Sequence, residues 1–306
     1  MIRTDALTRR FGELTAVDRL SFEVRPGELF GLVGPDGAGK TTTLRMLAGV
    51  LRPTGGDAWL DGISVVREPE RVKHHLAYMS QRFGLYTDLT VLENLEFYAD
   101  LYQVPRAERP ARLERLFQFS NLGPFKDRLA GKLSGGMKQK LGLSCALIHQ
   151  PRVLLLDEPT FGVDPVSRRE LWLIVHEMVA EGVTAVVSTA YMDEAERFDR
   201  LALLHRGRLL AIDTPETLQK GLEEEIVEVQ VERAREARAR LEGLPFVRRA
   251  AVFGDRLHLS VGSATEAIPA ITAALREGGF EVKSTRPIVP SLEDVFIGKI
   301  AEAEAA

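Results

Sequence analysis

Cysteine is almost absent from this sequence: its 306 residues include one, Cys145. A single thiol leaves no disulfide framework and no multi-cysteine metal site, so a reducing compartment is the natural expectation. Cys145 lies in the apolar run LGLSCALI and reads as a small core residue rather than a nucleophile. An excess of basic charge is lacking as well. With 40 Lys and Arg against 44 Asp and Glu, the formal net charge is −4, which excludes a chain that coats nucleic acid through bulk charge. No apolar run approaches the roughly 18 residues that a membrane span needs, and the opening MIRTDALTRRFG has no apolar core of a signal peptide. The chain therefore reads as soluble, and work at a membrane would require spans from another polypeptide. What is present is 45% hydrophobic and 27% charged residues, enough for one large domain or two ordinary ones.

Up to about Gln219, short apolar strands alternate with helical stretches, the pattern of an α/β sheet. ELFGLVG, RVLLLDE, VTAVVST and RLALLH are nearly uninterrupted apolar runs, as buried central strands are. LSFEVRPGE and GGDAWLDG flank the first of them with the Gly and Pro turns of hairpin strands. Residues from about 85 to 150 read as a helical subdomain, in which LTVLENLEFYADLY and RPARLERLFQF carry apolar residues at three- and four-residue spacing.

A second, α+β unit is expected over residues 220–306, after TPETLQKGLEEE, where Thr214 reads as an N-cap with Pro215 at the first helical position. IVEVQV (strand), AREARARLEGL (helix), VRRAAVFGDRLHLSV (hairpin), ATEAIPAITAALREGG (helix) and FEVKSTRPIV (strand) follow in a ferredoxin-like β-α-β-β-α-β order. Pro269 inside the second helix is tolerable only near its first turn. SLEDVFIGKI reads as a last short helix before a frayed Ala/Glu tail.

The chemistry concentrates in GPDGAGKTT, Gly34 to Thr42, between the strand ELFGLV and the helix TLRMLAGVL. That is the setting a phosphate-binding P-loop requires. Gly34, Gly37 and Gly39 allow a tight loop whose backbone N–H groups face phosphate oxygens, and the helix beginning near Lys40 adds its positive dipole end. Lys40 is placed for the β- and γ-phosphates, and Thr41 offers a hydroxyl to Mg²⁺. Asp36, Ala38 and Thr42 complete the candidate nucleotide-binding stretch. VLLLDEP is its acidic partner: four apolar residues form a central strand, and Asp157 and Glu158 emerge at its carboxyl end. Buried acids need a cation or a polarised water. Asp157 suits the Mg²⁺ shell, and Glu158 can accept a proton from attacking water.

LSGGMKQK, Leu133 to Lys140, lies between these two motifs and resembles the signature of ABC-transporter ATPases. Ser134, Gly135, Gly136 and Met137 open a helix that forms a second anion-binding end. The resemblance implies the following. Two such domains dimerise head to tail, and each signature acts on the partner's ATP. Phe11 in RRFG corresponds to the aromatic that stacks on adenine, and Gln81 in YMSQRFGLY to the glutamine that touches Mg²⁺ and the attacking water. Asp164 in FGVD corresponds to the residue of the loop that crosses the dimer interface. The likeness covers residues 1–219, with five motifs in the family's order, and implies a P-loop NTPase of ABC type using ATP and Mg²⁺. The C-terminal unit is similar to the accessory domain of some ABC-2-type exporter ATPases, through its element order and its SLEDVFI ending.

Two positions depart from the family's pattern. Asp36 stands where Asn is usual, and a carboxylate beside a triphosphate adds repulsion unless a cation or a proton offsets it. In STAYMDEAER, Ala190 occupies the place of the histidine that hydrogen-bonds the γ-phosphate and orients water and Glu158. Three expectations follow. The site is slow and pairs with a histidine-containing domain in a heterodimer or tandem. Or Ser188, Thr189 or Tyr191 supplies a substitute hydrogen bond. Or the chain is a switch with little turnover, against which the retained Glu158 argues.

The implied role is the ATP-binding and hydrolysing subunit of a membrane exporter, at the cytoplasmic face of the membrane. A separate membrane-spanning permease and a second ABC domain, in a homodimer or heterodimer, are its expected partners; nucleic acid is not. The aromatic-rich segment Phe83–Tyr98 is the candidate surface for the permease. The alternatives are a soluble ABC ATPase, or an ATP-dependent switch uncoupled from a transporter. For the C-terminal unit they are homodimerisation or small-ligand sensing.

Overall fold

The computed structural model describes residues 2–81 and 84–305; Phe83, the start of the candidate permease surface, lies outside them. The chain divides into two compact units, Met1–Ile212 and Asp213–Ala306. The division comes before the expected Gln219, because the helix that opens at Pro215 packs on the C-terminal helix and so belongs to the second unit.

The first unit opens with β1 (Ile2–Phe11), β2 (Leu14–Leu20), β3 (Glu23–Val24) and β4 (Leu29–Val33). Helix α1 (Lys40–Leu47), β5 (Gly55–Leu60), β6 (Ile63–Ser64), α2 (Pro69–Lys73) and β7 (Leu76–Met79) follow. Three helices, α3 (Val91–Leu101), α4 (Arg109–Ser120) and α5 (Gly135–Leu147), then form the helical region. The unit closes with β8 (Val153–Asp157), α6 (Pro165–Ala180), β9 (Thr184–Thr189), α7 (Met192–Ala195), β10 (Arg200–His205) and β11 (Arg208–Asp213).

The central sheet has the order β11-β10-β4-β9-β8-β7, parallel from β10 to β7. Every residue of β4, β8 and β9 is buried, which is why these strands read as nearly continuous apolar runs rather than alternating ones. A second sheet, β2-β1-β5-β6 with β3 on β1, packs against it. Ile2, Leu7 and Leu60 of one sheet share a core with Leu32, Leu155 and Val186 of the other, and Phe22 stacks on Phe30 at 5.5 Å. Since β4, β9 and β8 are neighbours and parallel, their carboxyl ends open on one edge, where ligands of such sheets bind.

Helix α3 begins with a capping box between Thr90 and Glu93. Asn94 is buried, and its amide donates to the carbonyls of Tyr86, Leu89 and Thr90, so it pins the segment that leads into the helix. The aromatic stripe is divided: Tyr98 belongs to the core, whereas Tyr86 is exposed. Among the described residues, no helix is long and apolar enough to cross a membrane.

The second unit runs α8 (Pro215–Lys220), β12 (Glu225–Val231), α9 (Ala234–Leu241), β13 (Val247–Phe253), β14 (Arg256–Val261), α10 (Ala264–Glu277), β15 (Val282–Ile288) and α11 (Leu292–Ala305). Its antiparallel sheet has the order β13-β14-β12-β15, the ferredoxin-like arrangement. Two details differ from expectation. Pro269 sits in the second turn of α10, on its exposed face, where the carbonyl that loses a donor faces water. The Ala/Glu tail is not frayed: it continues α11, as its strong helix formers favour.

Candidate active site

Helix α1 starts without a side-chain cap: its N-cap is Gly39, with φ at 99° and no acidic residue in the first turn. An uncapped helix start leaves N–H donors for an anion. Any side chain at Gly39 would meet the Ala16 carbonyl at 2.6 Å, so glycine is required there by space as well as by φ. The loop is fastened from outside, since the Gly207 N–H donates to the Ala38 carbonyl at 3.1 Å.

Lys40 is 4% exposed, and its ammonium has three acceptors: the carbonyls of Gly34 (2.7 Å) and Pro35 (3.1 Å) and Glu158 Oε1 (3.1 Å). Gln81 Nε2 donates to the other Glu158 oxygen at 3.0 Å. Asp157 sits one residue deeper and is 1% exposed. Its Oδ1 accepts from Thr41 Oγ1 (2.9 Å) and Ser188 Oγ (2.8 Å), and its Oδ2 from Tyr78 Oη (3.3 Å). Burial, joined by the negative charge of Asp157, pushes the Tyr78 phenol up to about 12, so it stays protonated and donates. Glu158 has φ at 48°, a left-handed conformation uncommon outside glycine.

A cleft of about 600 Å³ opens over these groups. Of the residues expected from sequence, Phe11, Asp36, Gly37, Ala38, Gly39, Lys40, Thr41, Thr42, Gln81 and Glu158 all line it. Gly34 and Asp157 lie just behind, joined to it through Lys40 and Thr41. Phe11 is 46% exposed, and the Arg9 guanidinium stacks 4.5 Å from its ring centre. Asp36 is exposed at the cleft. Sequence reasoning missed Leu14, Thr15, Ala16 and Arg206, which also line the cleft but belong to segments with no motif.

The signature residues and Asp164 are not in the cleft lining. Ser134 caps α5, accepting from the Met137 N–H at 3.3 Å. Gly136 packs so tightly on α6 that a Cβ there would stand 2.2 Å from Ser167 Oγ, and Lys140 pairs with Glu170 at 2.9 Å across the same contact. Asp164 caps α6, and the Ser167 and Val166 N–H groups hold its carboxyl below the usual range.

Ala190 follows β9. The hydroxyls of the two residues before it are committed elsewhere. Ser188 Oγ donates to Asp157 and accepts from the Glu158 N–H at 3.0 Å. Thr189 Oγ1 donates to buried Glu194 at 2.7 Å and accepts from the Tyr191 N–H at 3.0 Å. Tyr191 lies under the Arg168 guanidinium, 4.8 Å from its ring centre. The substitute donors expected at Ser188 and Thr189 are therefore engaged in holding the strand end.

Among the described residues, no group of three His, Cys, Asp or Glu forms a metal cage. The oxygens of Thr41, Asp157 and Gln81 are of the kind that would suit a hard cation sharing its shell with phosphate and water.

A P-loop facing paired carboxylates at the carboxyl edge of a parallel sheet defines a nucleotide site of the P-loop NTPase class. Residues 17–161 match the family model described as ABC transporter, and residues 214–300 that described as ATP-binding protein DrrA1-3-like, C-terminal domain. The chain is 50% identical over 224 residues to the probable multidrug ABC transporter ATP-binding protein YbhF of Escherichia coli (strain K12), covering 72% of this chain but only 39% of that protein's length. It is 36% identical over 304 residues to the daunorubicin resistance ATP-binding protein DrrA2 of Streptomyces coeruleorubidus, covering 97% of this chain and 94% of that one. Among solved structures it is similar to the dimeric, post-hydrolysis ATP-binding cassette MJ0796 bound to ADP and Pi, with a TM-score of 0.64, 25% identity, and 70% of this chain and 98% of that one covered. The chain belongs to the family of ABC-transporter ATP-binding proteins that carry a DrrA-like C-terminal domain.

Proposed function

We propose that this chain is the ATP-binding and hydrolysing subunit of a membrane exporter, acting at the cytoplasmic face on a separate membrane-spanning partner. The observation that carries the reading is the division of the machinery. The P-loop, Asp157, Glu158 and Gln81 meet around one cleft, whereas the Ser134–Met137 helix start stands outside it. A second ABC domain that presents its own signature would complete the cleft, and this chain's signature would complete the partner's.

In that arrangement Phe11 stacks on the adenine, and the Gly34–Thr42 loop wraps the phosphates. Lys40 leaves Glu158 for the β- and γ-phosphates. Glu158, released from Lys40 but still oriented by Gln81, takes the proton of the attacking water. Thr41, Asp157 and Gln81 would hold Mg²⁺, whose charge would offset that of the phosphates. Asp36 faces the same cleft and adds a repulsion that weakens nucleotide binding unless a cation meets it.

Ala190 makes this site slow. With Ser188 and Thr189 committed elsewhere, and unless the Tyr191 hydroxyl takes its place, the γ-phosphate lacks a charge-assisted hydrogen bond of about 1.5–3 kcal/mol, or about 10- to 150-fold in rate if it acts only in the transition state. The working assembly then pairs this domain with a histidine-containing one. Steady-state ATP hydrolysis by wild type, Ala190→His and Glu158→Gln tests this. A rise of that size in Ala190→His supports it, and a wild type as fast as Ala190→His refutes it. Co-purification with a hydrophobic multi-span protein tests the coupling to export; purification without one, at full activity, favours a soluble ATPase.

A further inference from the structure

Ser188 follows the apolar stretch AVV in the strand TAVVST and is 0% exposed. The parallel register of β8 and β9 sets it beside Asp157. Its hydroxyl makes two contacts of opposite sense, donating to Asp157 Oδ1 at 2.8 Å and accepting from the Glu158 N–H at 3.0 Å. The same N–H also reaches the Ser188 carbonyl at 3.2 Å. Side chain and backbone of one residue thus hold the first atom of Glu158, whose φ of 48° needs support from its surroundings.

We infer that Ser188 is a positioning residue that holds the metal-side carboxylate Asp157 and the base-bearing Glu158 in fixed relation through one hydroxyl. The inference rests on the roles proposed above for those two acids. Asp157 Oδ1 has a second donor, Thr41 Oγ1. That hydroxyl is also a candidate metal ligand, so it cannot serve Asp157 alone once a cation is bound. The Ser188 hydroxyl is no candidate metal ligand: the residue is 0% exposed and does not line the cleft. It keeps Asp157 oriented whether or not the metal is present, and any shift of Asp157 is passed to the Glu158 backbone.

The test compares Ser188→Ala and Ser188→Thr in the full chain, with Asp157→Asn and Glu158→Gln alongside. Three quantities are read: single-turnover hydrolysis, affinity for ATP in EDTA, and the gain in affinity of a non-hydrolysable ATP analogue when Mn²⁺ is added, followed by the metal's electron paramagnetic resonance. Ser188→Ala is expected to slow hydrolysis about 10- to 100-fold, leave metal-free binding within about twofold, and lose most of the Mn²⁺ gain. Ser188→Thr keeps the hydroxyl and is expected to restore both hydrolysis and the Mn²⁺ gain. If Ser188→Ala keeps the rate and the Mn²⁺ gain while both carboxylate variants are crippled, the inference fails alone. Equal loss of metal-free and metal-bound affinity in Ser188→Ala also overturns it, because that is the mark of general damage. If Asp157→Asn and Glu158→Gln hydrolyse ATP at the wild-type rate, the assignment of their roles fails instead.

Discussion

Replacing Glu158 by Gln should tighten nucleotide binding as well as block hydrolysis. An ammonium has three protons, and those of Lys40 are matched by the Gly34 and Pro35 carbonyls and Glu158 Oε1. A terminal phosphate must therefore displace a partner, and Glu158 is the one that also repels it. Hydrogen bonds to charged groups are worth about 1.5–3 kcal/mol net, and charge-assisted ones are about twice as strong as neutral ones. A Gln at the same place keeps an acceptor oxygen without the charge, which halves the competing interaction. The gain in affinity is then about 1 kcal/mol, roughly fivefold. Equilibrium titration with a non-hydrolysable ATP analogue measures it free of turnover. AMP, which ends short of Lys40, should gain nothing. Because Lys40 and Glu158 are 4% and 12% exposed, the effect should persist at high salt. Unchanged or weaker analogue binding in Glu158→Gln, with a wild-type circular dichroism spectrum, would refute the reasoning.

Further outcomes are expected elsewhere. Gly136→Ala places a Cβ 2.2 Å from Ser167 Oγ and should cost about 1–3 kcal/mol in urea denaturation, with Gly136→Ala/Ser167→Gly recovering much of it. In the second unit burial opposes charge on Asp294, but bonds from His258 (2.9 Å) and Ser291 Oγ (2.6 Å) prevail and hold its carboxyl below the usual range. A depressed carboxyl contributes stability above the unfolded value of about 3.8 and loses it as pH falls through the folded one. Asp294→Asn should therefore speed hydrogen exchange of residues 256–261 at neutral pH by about 1–3 kcal/mol of opening free energy, a difference that shrinks in acid. Cys145 is buried, and burial raises its thiol well above the ordinary range, so a maleimide should label it only after denaturation.

What was legible in the sequence was local. The P-loop, the acidic pair and the buried strands announce themselves within a few residues, because phosphate wrapping and full burial each demand a particular composition. The β-α-β-β-α-β order of the second unit was legible for the same reason. Ser188 was visible only as a polar residue near a strand end, and its partners depend on the register of β8 against β9, which is a tertiary fact. The same register made it a poor candidate to replace a missing histidine. Arg206 carries no motif and lines the cleft from the turn whose Gly207 is bonded to the P-loop, a tertiary contact. The end of α11 was misread because a charged, Ala-rich tail looks alike whether it is solvated helix or coil.

The bare start of α1 has a consequence beyond catalysis. Helices α3, α5, α6, α8 and α10 carry a side-chain cap, whereas this one leaves that place to an anion. The triphosphate is then a missing piece of secondary structure, and whatever binds it enters the folding equilibrium directly. At a hundredfold excess over its dissociation constant, such a ligand adds about 2.7 kcal/mol to stability. Where nucleotide stands far above that constant, the empty cassette is the minority species, and loss of ATP then loosens the domain as well as stopping it.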